Sequence, residues 1–315
     1  MPVWGKILIA AAVFAAVSGI GMTFYIAITV FRRVCVRTSA DLWTRGNSEP
    51  GANADHDEMH ELAEKWNAEH SRYIREVSIE NDGLKLAGQY FDFGFDRCAV
   101  ILAGRTEGCV YSSGFSEPYV QSGYNILVPD SRCHGLSEGK YLTMGYREHL
   151  DLLAWIKFAH DVLSKKEIVL HGVCVGAATS VFAVTSPDLP DYVTGLTVEG
   201  LYESFYDVLR QRIKSRGHKT FPVLQELWLI CRIKLGVNYC RFSPANRIAS
   251  VKLPILFIHS REDISSLPDG CQRLFDACGS TKKQLVWMDS GSHSHIRLRH
   301  REEYDEAVME FLKTI

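Results

Sequence analysis

The stretch Leu170-His-Gly-Val-Cys-Val-Gly-Ala-Ala-Thr-Ser180 joins a short apolar strand to a helix of small and apolar residues. Its centre, Gly172-Val-Cys-Val-Gly176, has the spacing G-x-S-x-G with cysteine in the place of serine. A strand that turns sharply into a helix brings backbone and side chains close together, and glycines two positions to either side relieve that crowding. The pattern therefore predicts a turn that holds Cys174 at the C-terminal edge of a sheet, beside the first N–H groups of a helix.

Cys174 has two interpretations at such a turn. The N–H groups and the dipole of the helix start stabilise a thiolate, which would make this thiol nucleophilic. A cysteine between glycines can equally be a core residue, because free Cys is among the most buried residue types. The pentapeptide alone is compatible with both, since short motifs recur by chance.

Apolar strands alternate with amphipathic helices through much of the chain. Strands are predicted over residues 76–80, 84–92, 97–103, 124–129, 167–171, 193–198, 254–259 and 284–288. The alternation predicts a mostly parallel sheet covered by helices on both faces. Ligands of such sheets bind beyond the carboxyl ends of the strands, which is where Cys174 is predicted to lie. Residues 201–247 break the alternation with aromatic and aliphatic side chains; we interpret them as a helical cap, although extra core helices fit the pattern nearly as well.

The N-terminal region reads as a membrane anchor. Residues 7–31 form an apolar run without a charge, preceded by a short tail (1–6) and followed by Arg32-Arg33. At a rise of about 1.5 Å per residue, such a run crosses a bilayer core of about 30 Å with some tilt. A cleaved signal peptide has a shorter apolar region of roughly 7–15 residues, so we expect an uncleaved transmembrane helix. More positive charges follow the run than precede it, which predicts that the main domain is cytoplasmic.

Residues 32–74 are predicted to contain a polar linker and then an amphipathic helix. Met59, Leu62, Ala63 and Trp66 recur there at helical spacing. This helix either packs on the main domain or lies on the membrane surface. The main domain is predicted to begin at residue 75, where the pattern changes to strands.

Composition excludes several classes of function. The chain has 315 residues, 46% of them apolar, which is enough for one large domain and an appendage. A formal charge of −2 gives no electrostatic reason to expect a nucleic acid partner. The nine cysteines contain no CxxC pair and read as reduced thiols rather than as a disulfide framework or a zinc site. Neither a metal nor an organic cofactor is implied.

Two side chains after Cys174 could supply the base and the orienting acid that a nucleophile needs. Asp263 follows the predicted strand 254–259, and His293 follows the last strand, so both lie beyond carboxyl ends of strands. Alone, Asp263 could be a turn residue and His293 a surface residue. Glu199, which ends the strand before the cap, is an alternative acid.

The motifs together resemble those of the α/β-hydrolases, in the membrane-anchored branch related to serine aminopeptidase, monoacylglycerol lipase and lysophospholipase sequences. The matching segments are Asn81-Asp-Gly-Leu-Lys-Leu-Ala-Gly88, Gly123-Tyr-Asn-Ile-Leu-Val-Pro-Asp130, His134-Gly-Leu-Ser-Glu-Gly139, Leu170-His-Gly-Val-Cys-Val-Gly-Ala-Ala178, Pro254-Ile-Leu-Phe-Ile-His259 and Gly291-Ser-His293. The resemblance covers about residues 75–315 and implies an α/β-hydrolase fold there, with a small helical cap at about 201–247.

The resemblance also implies roles for residues. Cys174 maps to the nucleophile, Asp263 to the acid and His293 to the general base, while the backbone N–H groups of Val175 and Arg105 map to the oxyanion hole. His295, two residues beyond His293, would take its place only if the alignment shifted.

Three positions depart from the family pattern. The nucleophile is usually serine, and this chain resembles the dienelactone hydrolases in having cysteine at the elbow. Ala103-Gly104 stands where His-Gly is usual before the oxyanion loop. Arg132-Cys-His-Gly135 replaces the common Arg-Gly-His-Gly, which puts a second thiol, Cys133, near the sheet edge.

The resulting hypothesis is covalent acyl transfer on small esters, thioesters or lactones with an apolar part. Amide hydrolysis is less expected, because a thiolate leaves the tetrahedral intermediate more easily than an amine does. The alternative is a non-catalytic, membrane-tethered binding protein that has kept the hydrolase fold.

Overall fold

The structure is a computed structural model that describes residues 2–37 and 54–315. Most of the predicted polar linker lies outside the described residues. Eight strands form one sheet in the described part of the chain. They are β1 (Ile74–Asn81), β2 (Leu84–Phe91), β3 (Arg97–Leu102), β4 (Tyr124–Pro129), β5 (Glu167–Val173), β6 (Val193–Glu199), β7 (Ile255–Ser260) and β8 (Lys283–Met288). Each predicted strand is present, with its bounds within two residues of the prediction.

The sheet has the order β1-β2-β4-β3-β5-β6-β7-β8. β1 and β2 form an antiparallel hairpin, and β2 pairs antiparallel with β4. From β4 to β8 all neighbouring strands are parallel. The hairpin turns through Asp82 and Gly83, both with positive φ (53° and 70°), as the Asp-Gly signal predicts.

Eleven α-helices accompany the sheet in the described residues. They are α1 (Val3–Cys35), α2 (Ala54–Glu69), α3 (Cys109–Ser113), α4 (Glu117–Gln121), α5 (Glu148–Asp161), α6 (Val175–Val184), α7 (Phe205–Ser215), α8 (Val223–Leu235), α9 (Pro268–Ala277), α10 (Ile296–Arg299) and α11 (Arg301–Leu312). Helices cover both faces of the sheet, so the central strands are buried on both sides and read as continuous apolar runs.

The core is divided into two layers by the sheet. One layer contains Leu152 and Trp155 of α5 and Val181 of α6. The other contains Trp66 of α2 and Phe311 of α11, with side chains from α4 and the strands between them. This two-sided burial holds the carboxyl ends of the parallel strands in a fixed array, at which the candidate site is built.

Helix α2 packs on the domain, which decides between the two placements open from the sequence. Met59, Ala63 and Trp66 are buried against the domain, and the indole N–H of Trp66 donates to Glu117 Oε2 at 2.9 Å. A Cβ on Gly114 of the facing segment would lie 3.1 Å from the Cβ of Ala63, so the two segments approach closely. The helix begins at Ala54, before Met59, the first residue of the predicted periodicity.

Helix α1 is the one described helix that is long and apolar enough to cross a membrane, with a mean hydropathy of 2.2 in an 18-residue window that has no buried residue. Its C-terminal part is different, because Ala27, Phe31 and Cys35 are buried. After the helix, Val36 forms an antiparallel bridge with Tyr141. The first residues after α1 are therefore fastened to the main domain.

Candidate active site

The turn between β5 and α6 is as sharp as the glycine spacing predicts. Cys174 has φ 53° and ψ −109°, a conformation that side-chain-bearing residues rarely adopt. A Cβ on Gly172 would lie 2.4 Å from the carbonyl oxygen of Gly176, and one on Gly176 would lie 2.2 Å from the carbonyl oxygen of Leu102. Since neither approach leaves room for a methyl group, this turn requires glycine at both positions.

Cys174 occupies the N-cap position of α6 and is partly exposed. The first N–H groups of a helix have no partner within the helix, and here they include that of Val175. Seven of the other eight cysteines are buried and one, Cys240, is exposed. Cys174 is thus placed at the sheet edge beside backbone donors rather than inside the core.

Asp263 and His293 are brought together at the neighbouring strand ends. His293 Nδ1 lies 2.7 Å from Asp263 Oδ2, and the backbone N–H groups of Ser265 and Ser266 each donate to Asp263 Oδ1 at 2.8 Å. Burial by itself would raise the pKa of Asp263, but the adjacent His293 and these N–H groups lower it below its ordinary value. The carboxylate is therefore ionised and orients the imidazole through Nδ1.

Cys174 is a neighbour of His293 as well as Asp263, close enough for its charge to act on the imidazole. Burial would lower the pKa of His293, but the charges of Cys174 and Asp263 outweigh it and raise that pKa well above the ordinary value for histidine. The three side chains thus lie together, with only the His293–Asp263 pair within 2.7 Å of each other. In this arrangement His293 is the base nearest to Cys174 that could accept its proton.

Glu199 is engaged elsewhere. Its Oε2 accepts a hydrogen bond of 2.7 Å from the hydroxyl of Tyr304, whose oxygen is 3.1 Å from His171 Nε2. His171 Nδ1 is in turn 3.0 Å from the hydroxyl of Tyr119. Burial raises the pKa of Glu199 to about 7 and lowers that of His171 to about 3. The geometry thus gives His293 the carboxylate of Asp263 as its partner and places Glu199 in a separate buried network.

His295 also has other partners. Its Nδ1 lies 3.1 Å from Ser292 Oγ, and its Nε2 lies 3.4 Å from His56 Nδ1. Burial holds the pKa of His295 at about 4, so the ring is neutral at physiological pH. It forms part of the wall beside His293.

The loop after β3 passes directly beside Cys174. A Cβ on Gly104 would lie 3.3 Å from the Cβ of Cys174, so Arg105, the predicted second oxyanion donor, is next to the turn. The following residue fixes the loop, because the N–H of Thr106 donates to His134 Nε2 at 3.0 Å. The buried His134 has a pKa of about 4, and its Nδ1 donates to the carbonyl of Arg132 at 3.0 Å. A neutral histidine from a distant loop therefore clamps the loop that would hold the oxyanion.

Cys133 lies next to His134, the histidine that holds this loop. It is buried, and its φ of 61° is in the left-handed region, which glycine, the residue of the family pattern at this position, adopts most easily. Its sulfur is 3.8 Å from His134 Nδ1. Cys133 therefore borders the histidine that positions the loop and is set back from the reacting groups.

Glu107 is a site residue that sequence reasoning missed. Its Oε2 accepts a hydrogen bond of 2.7 Å from the N–H of Gly104, and its Oε1 lies 3.7 Å from His56 Nδ1. Burial raises the pKa of this carboxyl to about 7. In the sequence, only its position three residues after Gly104, in the loop predicted to hold the oxyanion, indicated that Glu107 could lie at the site. His56, at the start of α2, gave none, because only the packing of that helix brings it to the site.

Cys174 and His293 open into a cavity of about 800 Å³. Part of its wall is aliphatic or aromatic and comprises Val34, Phe205, Val208, Leu209 and Ile264. Part is charged and comprises Arg105, Arg212, Arg216 and Arg299 together with Asp55, Glu107 and Glu262. In the described part of the chain no group of three or more His, Cys, Asp or Glu side chains is arranged to hold a metal ion.

Comparison with solved structures identifies the fold. The esterase Pf2001 of Pyrococcus furiosus superposes with a TM-score of 0.62 and 26% sequence identity, over 79% of this chain and 95% of the esterase. The fold is the α/β-hydrolase fold. In that fold the nucleophile, the acid and the histidine occur in this order along the chain, which is the order of Cys174, Asp263 and His293.

Sequence comparison gives more distant relatives of this hydrolase fold. The uncharacterized protein YqkD of Bacillus subtilis is 24% identical over 215 residues, which are 68% of this chain and 70% of YqkD. The uncharacterized membrane protein YNL320W of Saccharomyces cerevisiae is 23% identical over 194 residues, which are 62% of each chain. No protein-family model matches the chain.

Proposed function

We propose that this α/β-hydrolase is a membrane-tethered enzyme that cleaves carboxylic esters, thioesters or lactones with Cys174 as nucleophile. The observation that carries the proposal is the grouping of Cys174, on a strained and glycine-flanked turn, with the hydrogen-bonded pair of His293 and Asp263. The esterase activity of the P. furiosus relative supports the same type of reaction.

The reaction proceeds through an acyl-enzyme. His293 accepts the proton of Cys174, and the thiolate attacks the substrate carbonyl carbon, while the N–H groups of Val175 and Arg105 stabilise the oxyanion. The intermediate collapses and expels the alcohol or thiol, which takes the proton from His293. Water then gives a proton to His293 and attacks the thioester carbonyl. The second intermediate releases the carboxylic acid, and the proton returns to the sulfur of Cys174.

The cavity favours a substrate with an apolar part. Side chains such as Phe205, Leu209 and Ile264 bury hydrocarbon. Amides are poorer substrates under this mechanism, because the thiolate is a better leaving group than the amine.

The proposed tether is α1, with the catalytic domain on the cytoplasmic side. Its length and exposed apolar surface support a membrane helix, and one relative is named as a membrane protein. Arg32 and Arg33 at its domain-side end support the orientation.

The nucleophile is tested with the full chain in detergent. We expect the native protein to hydrolyse p-nitrophenyl esters and to lose this activity when iodoacetamide alkylates Cys174. Cys174→Ala should retain only background hydrolysis, whereas Cys174→Ser should hydrolyse esters and react with a fluorophosphonate. A serine hydroxyl requires neutral His293 as base, so the serine variant should lose activity at acid pH as that histidine is protonated.

Cys240→Ala is the matched control, because it removes the exposed thiol far along the chain from the turn. This variant should keep native activity. If neither the native protein nor Cys174→Ser hydrolyses esters, while all variants fold, the proposal fails and the binding-protein hypothesis replaces it.

A further inference from the structure

The contact between α1 and α8 limits how far the bilayer extends along the tether. Thr23 Oγ1 donates a hydrogen bond of 2.9 Å to Glu226 Oε1 on α8. Ala27 and Phe31, further along α1, are buried in the same core layer as Leu227 and Ile230 of α8. A carboxylate is costly inside hydrocarbon, because it loses its hydration there. The hydrocarbon region must therefore end before Thr23, and not at residue 31 as hydrophobicity alone predicts.

Two exposed aromatic residues mark a span of suitable length. Trp4 is 77% exposed and Tyr25 is 67% exposed. At about 1.5 Å per residue they lie roughly 32 Å apart along the helix, close to the ~30 Å thickness of a bilayer core. Trp and Tyr are enriched at both membrane interfaces. This spacing places one interface at the level of Thr23 and Tyr25.

The second half of α7 and the loop that leads to α8 have the composition of a membrane-surface contact. Residues 210–221, called here the basic connector, contain Arg210, Arg212, Lys214, Arg216 and Lys219 without an acidic residue. These five side chains are exposed, with Arg210 also 3.7 Å from Asp207, and the segment ends at Phe221, which is 74% exposed. Basic side chains next to an exposed aromatic residue are typical of surfaces that bind anionic lipid.

The basic connector is next to both the tether and the cavity. It leads directly into α8, whose Glu226 bonds Thr23, so Phe221 precedes that contact by five residues. Arg212 and Arg216 of the connector line the cavity that contains Cys174. Val34, in the last turn of α1, lines the same cavity. The tether and the connector thus both border the cavity.

We propose that the basic connector docks on an anionic bilayer surface, with Phe221 inserted at the level of Thr23 and Tyr25, so that the cavity opens at the lipid interface. The tether fixes the connector next to the membrane, and its charge selects anionic lipid there. If the docked protein also has the proposed function, its acyl substrate is taken from the lipid phase. This statement about the substrate rests on the proposed function.

Photocrosslinking of the full chain in nanodiscs tests the docking. Phe221 is replaced by p-benzoylphenylalanine, and lipid adducts are measured by mass spectrometry after illumination in phosphatidylglycerol nanodiscs. The matched control carries the same residue at Val162, which is 65% exposed. Val162 lies between α5 and the amino end of β5, and the cavity lies at the carboxyl ends of the strands. We expect an adduct at position 221 in several-fold excess over position 162. Equal yields at the two positions would overturn the proposal.

The role of charge is tested in the same assay. Lys214→Glu with Lys219→Glu should lower the adduct yield at position 221 at least about fivefold, since each basic residue near an anionic surface contributes that order of binding. Lys157→Glu with Lys252→Glu, at exposed lysines outside the connector, should leave the yield unchanged. Replacing phosphatidylglycerol by phosphatidylcholine should lower the adduct yield as Lys214→Glu with Lys219→Glu does. The proposal would be contradicted if the adduct yield at position 221 changed neither with the connector substitutions nor with the charge of the lipid.

Hydrolysis of a water-soluble p-nitrophenyl ester separates this inference from the proposed function. Loss of adducts with intact ester hydrolysis would reject the docking and leave the enzyme. If lipid adducts form but neither the native protein nor Cys174→Ser hydrolyses the ester, the proposed hydrolase activity is rejected and the proposed membrane docking stands.

Discussion

At the scale of single residues, Cys174 combines a strained backbone with a partly exposed position. A non-glycine residue in the left-handed region costs of order 1–3 kcal/mol, so the surrounding structure must hold it. Its N–H donates to the carbonyl of Glu199 at 2.9 Å, and its carbonyl accepts from the N–H of Ala178 at 3.1 Å. These bonds fix the side chain where His293 reaches it, so the strain serves the geometry of the proposed nucleophile.

The acid that orients His293 gives a prediction at the same scale. Asp263→Asn should lower turnover of a saturating ester by up to about 10⁴-fold, the loss known for serine triads, and by less if the thiol ionises unaided. Glu199→Gln should retain most of the activity, because Glu199 is bonded to Tyr304. The measurement compares kcat of the two variants with that of the native protein.

An NMR titration of the imidazole of His293 supplies a readout that a folding defect would not imitate. Asp263 is one of the two charges that raise the pKa of His293, so Asp263→Asn should lower that pKa, and Glu199→Gln should lower it less. If Glu199→Gln is the variant that loses activity and lowers this pKa, the acid has been misassigned.

At the scale of elements, the turn between β5 and α6 depends on the close approach of α6 to β3. The carbonyl oxygens of Leu102 and Ala103 face Gly176, at 2.2 and 2.7 Å from where its Cβ would be. Both are backbone atoms, which cannot move aside as a flexible side chain can. The contact that positions Cys174 is thus also the one that joins the helix to the sheet.

We predict that Gly176→Ala destabilises the domain by about 3 kcal/mol or more, because overpacking against backbone forces α6 away from the sheet. Gly270→Ala is the matched control. Its Cβ would lie 3.0 Å from a carboxylate oxygen of Glu203, which is the end of a side chain and not backbone, and alanine is the better helix former by about 1 kcal/mol. Urea unfolding of the full chain in detergent measures both changes, and equal stability of the two variants would contradict the packing argument.

At the scale of the whole molecule, two N-terminal helices that precede the sheet complete the site. Helix α2 supplies His56, which lies near Glu107 in the wall beside His293. Helix α1 supplies Val34 to the cavity and is fastened to the domain by Arg37, which donates to the carbonyls of Gly135 and Ser137 at 2.9 and 3.1 Å. Helix α1 is therefore packed on the main domain and forms part of its surface.

The orientation of the molecule in the membrane is the last prediction. Arg32, Arg33 and the basic connector lie on the domain side of the proposed span, against Lys6 on the other side, so the domain should stay in the cytoplasm. Alkaline phosphatase fused after Ile315 in a bacterial host should be inactive, and the corresponding green fluorescent fusion should fluoresce. Arg32→Asn with Arg33→Asn should increase the exported fraction. An active phosphatase on the native chain would reverse the orientation.

The sequence by itself determined the fold and named the residues now proposed for catalysis. Buried parallel strands read as apolar runs, and glycine spacing marks the turn at Cys174, because backbone crowding there depends on local sequence. Local sequence also placed Asp263 and His293 after strands. Only the tertiary structure decided that Asp263, rather than Glu199, contacts His293, since both follow strands of the same sheet.

The tertiary structure also decided where α2 packs, that Glu107 and His56 border the site, and that α1 contacts α8 from Thr23 onward. These contacts join residues that are far apart in the chain. The periodicity of one segment shows which of its faces is apolar, but not which partner covers that face. The choice of partner depends on the packing of the whole chain.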